Sequence, residues 1–395
     1  MKDDIMRRAD AVIAATYKRF PLVLTKGDGC IVWDAEGRSY LDFVAGIAVC
    51  NLGHSHPGIA KAVSNQAQTL VHVSNLYYTL PQTEVAARLV ENSFADKVFF
   101  CNSGAEANEA AIKLARKYFK DKGDNGRYHI VAMERSFHGR TMAALSATGQ
   151  EKIRQGFDPI LEGFEFVPFD DINALTDRVG PQTCAVLIEP IQGEGGVCCP
   201  HPDYLKQVRE LCDKAGVLLI FDEIQTGMGR TGRLFAYEHF GIEPDVMTLA
   251  KALANGLPMG AMLAKDSVAS AFGPGAHAST FGGTPLVSAA AREVLNTLFE
   301  EKIIEHCREV GAYFKDRLGW LKQRHAIIKE VRGYGLLLGL QLASEGATFV
   351  EKCMQEGFLI NCIQDNILRF VPPLIITRKE IDSLVDCLDG ILPAE

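Results

Sequence analysis

No stretch of this 395-residue chain approaches the roughly 20 consecutive apolar residues that a membrane-spanning helix requires. The opening residues, Met1-Lys2-Asp3-Asp4-Ile5-Met6-Arg7-Arg8, carry charges with no apolar run behind them, so no secretory leader is expected. Cysteine pairs of the C-x-x-C type are missing too. The 11 cysteines are odd in number and scattered, and the adjacent Cys198 and Cys199 are poorly placed to bridge each other or to grip a metal. That usage fits free thiols in a reducing compartment, and the expected location is the cytoplasm. Positive charge is not in excess. With 41 Lys and Arg against 49 Asp and Glu the net charge is −8, which offers no general attraction to nucleic acid or to a membrane surface. Anionic small molecules would have to be held locally, by individual arginines or lysines. Internal repeats and low-complexity segments are also lacking.

What is present is ordinary globular material, 47% hydrophobic and 23% charged, and long enough for two domains. The opening segment reads as a helix, followed by short strands around Gly29–Asp34 and Ser39–Phe43. From about Lys97 short apolar runs alternate with helical stretches. The runs are Lys97–Cys101, His129–Met133, Ala185–Ile188, Val217–Phe221, Asp245–Ala250 and Gly260–Ala264. Runs apolar at nearly every position suit strands buried on both faces, and strand–helix alternation implies a mostly parallel sheet wrapped by helices. From about Ser288 the chain is mostly helical, with strands near Val331–Leu342 and Ile367–Phe370. This part reads as a smaller α+β unit. The expected division is 1–55 as an N-terminal segment packing with the small domain, 56–287 as the large domain and 288–395 as the small one.

Ligands of such sheets sit beyond the carboxyl ends of the strands, so residues directly after each run are the candidates for chemistry. The run Val217–Phe221 ends in Asp222-Glu223-Ile224-Gln225. Apolar residues followed by Asp-Glu also describe the magnesium strand of a nucleotide hydrolase. That reading needs the phosphate loop G-x-x-x-x-G-K-[ST], and the chain contains no Gly-Lys dipeptide. The other functional reading is an Asp that meets the protonated ring nitrogen of pyridoxal phosphate. Asp222 by itself would be read as a strand-end cap. It is joined by Lys251, at the end of Asp245–Ala250 and followed by Gly256, Pro258 and Gly260. A desolvated lysine there loses basicity and becomes a nucleophile suited to a carbonyl cofactor, although a snorkelling lysine is the commoner fate. Asn102-Ser103-Gly104-Ala105 turns a strand into an Ala-rich helix whose first N–H groups could hold a phosphate. Phe137-His138-Gly139-Arg140 offers an aromatic face and a guanidinium, and Glu189 and Glu194 in Glu189–Gly196 add two acids. His54 and His56 precede a Pro-Gly turn and read as loop residues, with a metal site a lesser option. Gly227-Met228-Gly229-Arg230-Thr231-Gly232 matches G-x-G-x-x-G, but Asp222–Gln225 separates it from its strand and no clear helix follows, so a dinucleotide site is not expected.

Together these blocks resemble the class III (ω-amino) aminotransferases of fold type I, from Gly29–Gly53 to Ile367–Pro373. The Asp222–Gln225, Lys251 and Phe137–Arg140 blocks are the most specific. Within the class, Ser74-Asn75-Leu76-Tyr77-Tyr78, Asn102–Glu109 and Glu189–Gly196 are most similar to members that act on N-acetylornithine. The resemblance implies an α/β fold, with a large domain holding a mostly parallel seven-stranded sheet flanked by helices and a smaller α+β domain. It implies pyridoxal 5'-phosphate as cofactor, with Lys251 as the Schiff-base lysine and proton carrier. Asp222 would meet the pyridine nitrogen, Gln225 would lie beside the ring hydroxyl and Phe137 would lie on the ring face. Ser103, Gly104 and Ala105 would hold the phosphate. Thr280 would reach the phosphate of a neighbouring subunit's cofactor, which implies a homodimer. Arg369 would bind the α-carboxylate of glutamate or 2-oxoglutarate, Glu194 would pair with Arg369 when the ω-amino donor is bound, and Arg140 would hold the carboxylate at the far end of either substrate. One departure is Thr284, which stands where many relatives have Asn. The implied reaction moves the terminal amine of N2-acetyl-L-ornithine to 2-oxoglutarate, in arginine biosynthesis. Succinyl-diaminopimelate, ornithine and 4-aminobutyrate are alternative donors. An isomerase of the same fold, or a non-catalytic binding protein, are readings from other classes.

Overall fold

The computed structural model describes residues 2–393. The apolar runs assemble into a seven-stranded sheet with the edge-to-edge order Lys97–Cys101, Gly260–Ala264, Val246–Leu249, Leu218–Asp222, Thr183–Ile188, His129–Met133 and Phe164–Val167. Gly260–Ala264 runs antiparallel to both neighbours, and the other pairings are parallel. Thr183–Ile188, Leu218–Asp222, Val246–Leu249 and Gly260–Ala264 are buried at every residue. The two-residue strand period then divides each run between the sheet's faces. Ala185, Leu187, Leu218 and Ile220 pack with the helix Gly104–Asp121, whose inner face is mostly small (Ala107, Ala110, Ala111, Ala115) and lies close to the sheet. Val186, Ile188, Leu219 and Phe221 share the opposite core with Tyr204, Leu205 and Val208 of the helix Tyr204–Ala215.

The sequence reading omits one strand of this sheet, Phe164–Val167. It is an edge strand, only Val167 is buried, and Glu165 faces out to meet His129 Nδ1 at 2.8 Å. A strand covered on one side needs no continuous apolar run. The C-terminal sheet pairs Ile328–Tyr334, Leu337–Leu342, Ile367–Phe370 and Asn361–Ile363, all antiparallel, against the helix Ile303–Arg324, on which Arg378–Ile391 packs in turn. A third sheet joins Leu24–Asp28, Ile31–Asp34 and Ser39–Asp42 to the short strand Phe358–Leu359. The chain from 29 to 34 is therefore not one strand. Gly29, with φ at +54°, makes the turn of a hairpin whose first strand precedes it.

Two motifs have structural roles. His54 Nε2 meets Asp42 Oδ2 at 2.8 Å, and His56 caps the helix Pro57–Thr69, accepting from Ile59 N. The G-x-G-x-x-G segment is a chain of turns that buries Arg230. Arg230 Nη1 donates to the carbonyls of Leu336 at 3.0 Å and Pro372 at 2.6 Å, and Nη2 donates to Asn51 Oδ1.

Candidate active site

The carboxyl ends of the central strands open on a cavity of about 420 Å³. Five of the seven strands deliver residues to it. Lys97–Cys101 leads into Asn102–Ala105, His129–Met133 into Phe137–Arg140, and Thr183–Ile188 into Glu189 and Glu194. Leu218–Asp222 ends in Asp222 itself, and Val246–Leu249 leads to Lys251. Ser103, Gly104, Ala105, Phe137, Arg140, Glu194, Asp222, Gln225 and Lys251, all picked out from sequence, line this one space. Arg369 reaches it from the C-terminal sheet through Glu194 and Gln225. Thr280 does not line it. Thr280 borders a separate surface cavity with Asn102, Glu106 and Phe281.

Lys251 opens a short 3-10 turn with φ at +46°. Desolvation lowers the basicity of its amine, as does Arg369, and the acids Glu194, Asp222 and Glu189 only partly restore it. A larger fraction of neutral amine follows, which is the nucleophilic form. Asp222 is held from three directions. Its Oδ1 accepts from Ile224 N at 3.0 Å, and its Oδ2 accepts from Asn108 Nδ2 at 2.8 Å and His138 Nδ1 at 2.7 Å. Bonding to a carboxylate assigns the Nδ1 proton to His138. Asn108 also donates to the His138 carbonyl at 2.7 Å and accepts from Thr248 Oγ1 at 2.8 Å, so helix, loop and strand are tied at one amide.

At the other end of the cavity Arg369 Nη1 donates to Glu194 Oε1 at 2.5 Å and to Gln225 Oε1 at 3.2 Å, while Gln225 Nε2 donates to Glu194 Oε1 at 3.4 Å. Burial works against ionisation of Glu194, but Arg369 and then Lys251 outweigh it and hold the carboxyl below its usual range. Gly193 makes this corner possible, since a Cβ there would lie 2.4 Å from Gln225 Oε1. Glu189 behaves oppositely. Burial, with Asp222 adding to it, pushes its carboxyl up to about 7 against the pull of His138 and of the Gly193 and Phe137 N–H groups, each 3.2 Å away.

Sequence reasoning assigned no role to Asn108, His138 or Glu189. Asn108 had a readable signal, being a polar residue on the buried face of an Ala-rich helix. His138 and Glu189 stand within motifs that drew notice, but their partners come from other strands, and nothing local announces them.

A family model, Aminotransferase class-III, matches residues 12–392. The acetylornithine aminotransferase of Caldanaerobacter subterraneus is 53% identical over 95% of this chain and 96% of its own length. That of Methanocaldococcus jannaschii is 50% identical over 95% and 94%. Among solved structures, the ornithine aminotransferase of Toxoplasma gondii superposes with a TM-score of 0.95 at 35% identity, covering 99% of this chain and 94% of that one. Acetylornithine aminotransferase from Elizabethkingia anophelis gives 0.88 at 34% identity, covering 99% and 98%. Enzymes of this class use pyridoxal phosphate. The cavity suits that group. It has an amine of lowered basicity for an aldehyde, an anchored carboxylate for a ring nitrogen, and an aromatic side chain for a ring face. For a phosphate it has the opening turn of the helix Gly104–Asp121, where a Cβ on Gly104 would lie 2.7 Å from Ile224 Cδ1. The chain belongs to the class III aminotransferases, a family of pyridoxal-phosphate-dependent enzymes.

Proposed function

We propose that this enzyme transfers the terminal amino group of N2-acetyl-L-ornithine to 2-oxoglutarate, giving N-acetyl-glutamate 5-semialdehyde and glutamate, as a step of arginine biosynthesis. The acetylornithine aminotransferases at 53% and 50% identity support this choice of donor. The observation that carries the two-substrate reading is the Glu194–Arg369 pair in the cavity of Lys251.

The donor presents an amine with no carboxylate on the same carbon, whereas glutamate presents both. An arginine placed for the glutamate carboxylate is left without an anion when the donor is bound, which costs some kcal/mol for a buried charge. Glu194 supplies that anion. The side chain of Arg369 is 1% exposed and that of Glu194 27%, so the carboxylate is the partner free to move aside. Arg140, exposed beside Phe137 with its guanidinium 5.6 Å from the ring centroid, would take the carboxylate at the far end of either substrate. When bound, pyridoxal phosphate supplies an electron sink next to the reacting carbon. Lys251 Nζ would form the covalent attachment and would then carry a proton between substrate and cofactor carbons. Asp222, braced by His138 and Asn108, would hold the proton on the ring nitrogen. Phe137 would cover the ring face, Gln225 would turn to the ring hydroxyl when Glu194 moves, and Ser103, Gly104 and Ala105 would hold the phosphate.

The working unit in this reading is a homodimer in the cytoplasm. Leu76, Tyr77, Tyr78 and Leu80 are exposed apolar side chains. So is Phe281, whose strap is drawn to them by Asn75 Nδ2 donating to the carbonyls of Ser279 and Gly282. An apolar patch of this kind supports an interface, and Thr280, inside the strap, would reach the partner's cofactor. The division into 1–55, 56–287 and 288–395 belongs to the same reading and is supported by the pairing of Ser39–Asp42 with Phe358–Leu359.

The test is to mix the cofactor-loaded enzyme with ω-amino donors in the absence of 2-oxoglutarate and follow the visible absorption. N-acetylornithine should bleach it fastest, and 2-oxoglutarate should restore it. Faster bleaching by ornithine, 4-aminobutyrate or succinyl-diaminopimelate would reassign the donor.

A further inference from the structure

We infer that Asn361 is a positioning residue that keeps the Arg369 guanidinium in place while its anionic partner is exchanged, and so sets the affinity for dicarboxylate substrates without touching them. The inference rests on the proposed exchange of Glu194 for a substrate carboxylate.

Asn361 stands directly across from Arg369 in the antiparallel register of Asn361–Ile363 and Ile367–Phe370. Arg369 Nε lies 3.3 Å from one amide position of Asn361 and Nη2 lies 2.8 Å from the other, and the amide oxygen belongs at the nearer one, where Nη2 is a donor. So oriented, Oδ1 accepts from Arg369 Nη2 and Nδ2 donates to the Arg369 carbonyl at 3.3 Å. The cross-strand neighbour on the other side is Gly339, which has no side chain to compete for the guanidinium. The guanidinium is thus used at two ends. Nη1 carries the exchangeable contacts, Glu194 at 2.5 Å and Gln225 at 3.2 Å, and Nη2 carries Asn361.

These contacts do not survive equally when Glu194 moves. Gln225 loses its own bond to Glu194 in the same motion and is freed to turn. Asn361 has no bond to Glu194 and does not border the Lys251 cavity, so it is the contact independent of the exchange. An unrestrained arginine has many rotamers and would follow Glu194 out. With Nη2 held, Glu194 leaves alone. Neutrality matters as much as position. A carboxylate at 361 would be a permanent anion for Arg369, making Glu194 redundant and competing with the substrate carboxylate.

The experiment compares wild type, Asn361→Ala, Asn361→Asp, Glu194→Ala and the Glu194→Ala/Asn361→Asp pair as loaded holoenzymes, with each half-reaction followed separately by single turnover. Asn361→Ala should raise the apparent dissociation constants of glutamate and 2-oxoglutarate about tenfold, with the donor half-reaction changed no more than about twofold and maximal rates kept. Asn361→Asp, nearly isosteric and so a safeguard should the alanine variant misfold, should also weaken dicarboxylate binding. In the double variant it should restore the donor half-reaction that Glu194→Ala impairs. Equal changes in both half-reactions, no change in either, or no rescue would overturn the inference. Failure of the underlying reading is distinguishable, because it would appear in wild type as no use of 2-oxoglutarate, or in Glu194→Ala as no asymmetry, with position 361 intact.

Discussion

Replacing Glu194 with alanine removes the only carboxylate bonded to Arg369 among the described residues. Breaking a fully buried ion pair costs about 3–5 kcal/mol. That figure is a ceiling here, because Glu194 is partly exposed and Arg369 keeps Asn361. The value for one charge-assisted hydrogen bond, about 1.5–3 kcal/mol, is the better guide. At about 1.4 kcal/mol per factor of ten, this corresponds to roughly 10- to 150-fold. The loss falls on one side of the cycle. With the ω-amino donor bound, Arg369 has no anion and the donor half-reaction slows by that factor. With glutamate bound, the substrate carboxylate takes the vacated position, and no internal carboxylate has to be displaced. The glutamate half-reaction should therefore keep its rate and bind its substrate as tightly as wild type or more so. Stopped-flow single turnovers of the loaded enzyme, one substrate at a time, measure the two rates separately, and thermal melts check that the variant is folded. Slowing both halves by the same factor would refute the exchange.

Borohydride reduction of the loaded enzyme followed by peptide mapping should place the cofactor's mass on the peptide containing Lys251, and Lys251→Ala should abolish the label. A label elsewhere would end the assignment. Asn108→Ala removes hydrogen bonds to Asp222, His138 and Thr248 from a fully buried site. It should destabilise the fold by about 3 kcal/mol and weaken cofactor retention on dialysis, whereas unchanged melting and retention would refute the bracing role. Glu189 gives a pH signature. Burial pushes its carboxyl up to about 7 from an ordinary 4.5, so between these values the native state binds more protons than the unfolded chain. Its contribution to stability falls as pH rises through that window, by at most about 1.4 kcal/mol per unit. Glu189→Gln should remove this slope, so that melting curves of variant and wild type diverge as pH rises toward 7. A constant offset would show that Glu189 does not titrate there.

The buried centre of the fold was readable in the residues, because strands covered on both faces must be apolar throughout. His129–Met133 and Gly260–Ala264 fall where their runs predict, to the residue. The strands that escaped are edge or short ones. Phe164–Val167 needs only one covered face, Leu24–Asp28 is almost wholly exposed, and Phe358–Leu359 is too short to carry a period. The site divides the same way. Asp222 and Lys251 stand at strand ends, where a charged residue after an apolar run is conspicuous. Asn108, His138 and Asn361 act through partners 114, 84 and 8 positions away, and such pairings exist only once the strands have chosen their neighbours. Arg369 shows a middle case. Its position was legible by resemblance, but its burial and its bond to Gln225 were not.

The single guanidinium of Arg230 spans Asn51, Leu336 and Pro372, and this bears on how the gene could be recombined with homologous ones. Two of its three acceptors are backbone carbonyls, which every parental sequence supplies whatever its side chains. Only position 51 contributes a side chain to the latch. A shuffled gene should therefore tolerate crossovers between residues 230 and 336 more readily than crossovers that separate 51 from 230. Libraries that inherit those two positions from one parent should yield the larger share of soluble hybrids.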